Sequence, residues 1–158
     1  MRPTALPFRA AALTLALAAA PGLAASGAAQ GRSPEDTRTI ASYRLTMSML
    51  RKVVPAMYAP GGDSCKKPRQ SDVSSLSLAQ MTRTLETCSP VLTSLKQAGV
   101  RPREAALLYA ALLNVSQEVA RRGGSAEALP PGVVRDNALL LEQNDPEIRK
   151  LTETGGQS

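Results

Sequence analysis

Two cysteines, Cys65 and Cys88, are the residues best suited to covalent chemistry in this chain. Redox-active pairs usually take a C-x-x-C spacing, and this pair does not. In an oxidising compartment two lone cysteines most simply form one structural disulfide. Cys65 falls in a polar, turn-rich stretch (PGGDSCKKPRQSD) and Cys88 in a helical one, so the bridge would pin a loop onto a helix. Chain-entropy arguments give a loop of this length roughly 3 kcal/mol of stabilisation. Met47-Ser48-Met49, with Met57 and Met81, raises thioether copper binding. Residues two apart on a helix point away from one another, however, and Met47 and Met57 fall on a core stripe where methionine fills gaps. The acid pairs Glu35/Asp36 and Asp145/Glu147 stand at helix starts, where the dipole accounts for them. Glu104 and Glu118 lie too far apart along one helix to share a substrate, so no two-carboxylate hydrolase site is read. Asn114-Val115-Ser116 matches a glycosylation sequon but falls inside an apolar helical run. No catalytic, cofactor-binding or metal site is expected, and the protein is read as a non-enzyme.

Composition closes further routes. The 158 residues contain no histidine, which excludes Ser-His-Asp and Cys-His nucleophiles and any imidazole ligand. Two cysteines cannot build a Cys₄ zinc site. The net charge of +6 is scattered over loops and helix ends without a nucleic-acid-binding motif. A nucleic-acid partner is therefore not expected, although a basic surface could meet an acidic envelope component.

The N-terminus reads as an address. Arg2 and Arg9 precede the apolar run 10–20, Pro21-Gly22 breaks it, and small residues follow. This is the layout of a secretory signal peptide over residues 1–29, with cleavage after Ala29. The apolar run is too short for a membrane span, which needs about 20 residues, and no span is expected in the mature chain. The mature domain, 30–158, would then be periplasmic or secreted. Without residues 1–29 the only aromatics are Tyr43, Tyr58 and Tyr109, so the core must be aliphatic and built from helix–helix contacts.

The elements that must position these residues are helices. Ser33-Pro34-Glu35-Asp36 combines an N-cap, a first-turn proline and two acids. From there Ile40, Tyr43, Met47, Leu50, Val54 and Met57 alternate spacings of three and four along one stripe, which predicts a single helix loosened at Pro55 and stopped by Pro60-Gly61-Gly62. A loop follows over 60–74, carrying Lys66, Lys67 and Arg69, which reads as solvated charge. A second helix is expected from Ser74 or Ser75, with Leu78, Met81, Leu85, Cys88, Leu92 and Leu95 in the same alternation. That register runs through Ser89-Pro90. One long helix kinked at Pro90, or two helices, would fit, and the unbroken register favours the kink. Gly99 ends it, and Pro102 starts the most apolar helix, with Ala105, Leu108, Leu112, Val115 and Val119 on one face, widened by Tyr109, Leu113 and Ser116. A turn near 125–129, a short helix over 133–142 and a last one from Asp145, fraying from about 152, complete the chain. Strand patterns are missing. The expected fold is all-α: an antiparallel bundle of three main helices plus two or three short C-terminal ones.

Several segments together resemble a group of small exported bacterial proteins of unknown function. They are Tyr43-x-Leu45-Thr46-Met47 with Lys52 downstream, Ala98-Gly99-Val100-Arg101-Pro102-Arg103-Glu104, Leu129-Pro130-Pro131-Gly132-Val133, and Asn137 before Gln143-Asn144-x-x-Glu147-Ile148. The resemblance implies an exported helical domain and assigns no activity and no catalytic residue. The functional expectation is a module that binds a protein partner or envelope component. The alternative is a carrier of a small apolar ligand between helices. An exposed apolar groove would favour the first and an inter-helix cavity the second.

Overall fold

The computed structural model describes residues 31–62, 65 and 75–155. The stretch 1–29 read as a signal peptide and the basic loop positions Lys66, Lys67 and Arg69 lie outside the described residues. The chain is all-α, with seven α-helices and no strand among the described residues beyond one antiparallel bridge between Gly31 and Leu76.

Helix α1 (Pro34–Ser42) starts as its sequence dictates: Ser33 Oγ accepts from the Asp36 N–H at 3.0 Å, with Pro34 in the first turn. The single helix expected through Met57 does not form. The chain leaves helical geometry at Tyr43 and re-enters at α2 (Met47–Met57), where Thr46 Oγ1 accepts from the Met49 N–H at 3.3 Å. Both halves carry the same apolar spacing, so the stripe conceals the break. A helix running through 43–46 would satisfy its own backbone. Here the side chain of Asn137 does so instead, its Oδ1 accepting from the Leu45 N–H at 2.9 Å and its Nδ2 donating to the Tyr43 carbonyl at 2.8 Å. The extended segment turns Leu45 into the core.

The expected second helix is also two. Helix α3 (Leu78–Thr87) begins later than Ser74 or Ser75 because Ser77 and Gln80 form a capping box: Ser77 Oγ accepts from the Gln80 N–H, and Gln80 Oε1 accepts from the Ser77 N–H at 2.8 Å. Asp36 of α1 adds a third acceptor for that start, taking the Leu78 N–H at 3.1 Å. Cys88, extended at φ −93° and ψ 90°, ends α3 and precedes α4 (Ser89–Gln97). This is a break between helices, not the kink favoured by the register. Pro90 has no N–H for the Glu86 carbonyl, and its ring would clash with that carbonyl in a continuous helix. The Leu92 N–H bonds the Cys88 carbonyl at 2.8 Å and restarts the ladder. Gly99, at φ +68°, closes α4, with the Val100 N–H reaching back to the Leu95 carbonyl.

Helix α5 (Pro102–Arg121) is the one long helix, and it is central. Ala105, Ala106, Leu108, Ala110, Ala111, Leu113 and Val115 are all buried, so its alanines let neighbours approach on several sides. Helices α1 and α3 pack on it, as does α6 (Val133–Gln143), while α7 (Asp145–Gly155) and α4 pack along α2. A 3-10 turn (Ala126–Ala128) leads into α6 and is tied to it by the Ala126 N–H, which donates to Glu142 Oε1 at 2.8 Å. Val115, Ala126, Leu129 and Ala138 form a small second cluster beneath this turn. Helix α7 runs to Gly155, past the position where fraying is expected, because Gly155 seats against α2. A Cβ there would stand 2.7 Å from the Pro55 carbonyl oxygen and 2.9 Å from Tyr58 Cβ.

Candidate functional site

A cavity of about 570 Å³, partly open to solvent, lies between α2, α3, α5 and α7, with Val91 of α4 and Leu141 of α6 completing its wall. This falls within the roughly 300–1,000 Å³ of small-molecule sites. Each helix contributes residues from the stripe that also builds the core. Helix α2 brings Val53, Val54 and Met57, α3 brings Met81 and Leu85, and α5 brings Leu108 and Leu112. The physical reason for the space is compositional. Residues 30–158 hold no Phe and no Trp, so where several helices meet, aliphatic side chains do not reach one another.

The disulfide forms part of the same wall. Cys65 and Cys88 are bonded, with Cα atoms 5.6 Å apart and a sequence separation of 23. The break between α3 and α4 puts Cys88 in the extended conformation at that point. The bridge expected from the sequence is therefore present, and both of its residues line the cavity.

The other side chains singled out by type are placed apart from any common reacting centre. Met57 and Met81 reach the cavity as apolar lining, whereas Met47 and Met49 pack elsewhere against the core. Glu104 accepts from the Arg101 guanidinium at 2.8 Å and from its backbone N–H at 3.2 Å, and these bonds hold its carboxyl below the usual range. Glu118 is lowered in the same way, by hydrogen bonds from Arg121 and the charge of Arg122. A general acid needs the opposite shift. Burial, reinforced by the negative charge of Glu104, pushes the Tyr43 phenol up. No group of three or more His, Cys, Asp or Glu able to hold a metal occurs among the described residues, and no helix there is long and apolar enough to cross a membrane.

An ion pair joins helix α7, the cavity's outer wall, to α2. Arg51 of α2 donates to Glu147 through Nε at 2.6 Å and through Nη2 at 3.2 Å. Hydrogen bonding to Arg51, with its charge, lowers the Glu147 pKa. The sign follows directly. A depressed folded pKa adds stability that is complete above the ordinary carboxylate range, declines as pH falls through it, and is gone below the folded value. The stability difference between wild type and Glu147→Gln is therefore expected to be positive at neutral pH and to shrink in urea unfolding as pH falls through and below the ordinary carboxylate range, as the native carboxylate is protonated. A difference that stays constant over that range would rule the linkage out.

The apolar stripes mark part of the lining, Val54, Met57, Met81, Leu85, Leu108 and Leu112, as core and not as a site, and leave Val53, Thr84, Val91 and Thr152 unmarked. One signal was available: Tyr109 and Ser116 widen the apolar face of α5, and both line the cavity. Asn137, which carries no periodicity or spacing signal for its role, is 4% exposed and braces the α1–α2 break from α6. Comparison of this chain with family models, with curated proteins and with solved structures finds no match.

Proposed function

We propose that the protein is an exported, non-enzymatic carrier that holds a small apolar molecule in the cavity between α2, α3, α5 and α7. The observation that carries the reading is the cavity itself, about 570 Å³ and walled mainly by Val, Leu, Ile and Met side chains. The distribution of apolar surface supports it over a partner-binding module. Among the described residues Tyr58, at 52%, is the one exposed large hydrophobic, and it stands at the cavity. A docking face for a protein would expose a contiguous apolar patch. The disulfide agrees with residence in an oxidising compartment, and residues 1–29 would direct the chain there, periplasmic or secreted.

Titration of the trimmed, oxidised protein with the apolar fluorophore N-phenyl-1-naphthylamine tests this. A saturable, one-site rise in fluorescence is expected. Leu112→Trp, which fills the cavity from a partly buried position, is expected to weaken binding by at least about tenfold, with helical circular dichroism retained. Non-saturable fluorescence, or a titration that the filled variant does not change, would reject the reading.

A further inference from the structure

Beyond its apolar character, the cavity gathers the side chains best suited to hold an aromatic ring. The chain has five methionines, Met1 included, two cysteines and three tyrosines. Two of those methionines, both cysteines and two of the tyrosines line this space. They stand on walls built by different elements. Met57 and Tyr58 come from the end of α2, Met81 from α3 and Tyr109 from α5, and the Cys65–Cys88 disulfide sits at the break after α3. Sulfur is polarisable and makes favourable contacts at the edge of an aromatic ring. Tyrosine meets another ring offset-stacked or edge to face. A saturated ring has no quadrupole and gains neither contact. Methionine in a closed core fills a gap. Met57 and Met81 instead border a space of about 570 Å³ that they leave open.

From this lining of sulfurs and tyrosine rings we propose that the cavity selects a molecule carrying an aromatic ring over one with the saturated ring of the same carbon skeleton. Burial by itself ranks the two the other way, because the saturated ring has more apolar surface to remove from water. Each sulfur–ring or ring–ring contact is worth roughly two- to tenfold in affinity, so a few of them reverse that order. The inference rests on the cavity being a ligand site.

Displacement of N-phenyl-1-naphthylamine from the trimmed, oxidised chain by 4-phenyl-1-butanol and by 4-cyclohexyl-1-butanol tests it. The two share one polar end and one chain and differ only in the ring, so polar groups around the cavity act on both alike. The phenyl compound is expected to compete at a concentration at least about threefold lower. If the cyclohexyl compound competes as well or better, or the phenyl compound does not compete, the ring preference is overturned while saturable fluorophore binding leaves the carrier reading intact. Failure of the fluorophore to bind at all overturns the carrier reading and the preference with it. The double variant Met57→Leu/Met81→Leu keeps side-chain volume and removes two of the sulfurs. With helical circular dichroism retained, it is expected to bring the two competitors level or to reverse their order. An undiminished preference in that variant would overturn the role given to these sulfurs.

Discussion

Asn137→Leu is expected to lower the folding free energy by roughly 2–4 kcal/mol, among the largest effects of any single substitution in this domain. The amide is almost fully buried and serves two backbone groups that no helix satisfies, the Leu45 N–H and the Tyr43 carbonyl. Leucine has a similar size, so the loss is not a cavity. It is the cost of stranding a donor and an acceptor away from water, at about 1–3 kcal/mol each, partly offset by the added apolar surface. The melting temperature should fall by roughly 10 °C. Asn144→Ala supplies the contrast. Its amide donates to the Leu140 carbonyl one turn back in the same helix, at 2.8 Å, and it is only partly buried. That change should cost no more than about 1 kcal/mol. Chemical denaturation of the two variants side by side decides the matter. Equal effects, or an Asn137→Leu protein as stable as wild type, would mean that the α1–α2 break is not held from α6.

Loss of the disulfide is the second large effect. Cys65→Ala/Cys88→Ala is expected to destabilise the domain by roughly 3 kcal/mol, from the entropy regained by an unfolded chain no longer closed over 23 residues. Reduction of the wild type should reproduce the shift. Because both sulfurs line the cavity, fluorophore affinity should fall as well, and it should fall on reduction at temperatures where the protein remains helical. Protein purified without reductant in which both cysteines alkylate freely, or a melting temperature indifferent to reductant, would contradict this.

Much of the fold is legible locally. Ser33-Pro34 and Pro102 start the helices they should, Gly99 ends one, and Leu78, Met81, Leu85, Cys88 and Leu95 are buried as their spacing requires. Helix periodicity reports which way a side chain faces, and that survives even where the helix count changes. The breaks are less legible for a physical reason. At Tyr43–Thr46 the apolar period continues across the gap, and the residue that makes an extended segment tolerable there, Asn137, is 92 to 94 positions away. At Pro90 the proline offered two structures. The observed break puts Cys88 in the conformation from which it joins Cys65, a constraint that lies outside the α3 stripe. The cavity was legible only in outline. An aliphatic composition without Phe or Trp foretells imperfect filling, but where the space opens depends on how far apart four helices stand. Gly155 shows the same limit. Nothing beside it in sequence marks it as the point where α7 touches α2, yet Pro55 and Tyr58 leave no room there for a Cβ.

The most direct measurement is a methyl NMR spectrum of the trimmed, oxidised protein during titration with N-phenyl-1-naphthylamine. Binding between the helices requires the methyls of Val53, Met81, Leu112 and Ile148 to shift together and to saturate at one equivalent. Those of Leu129 and Val134, at the second cluster, should stay in place. A spectrum that does not move, or shifts spread evenly over both clusters and the surface, would contradict a ligand held in the cavity.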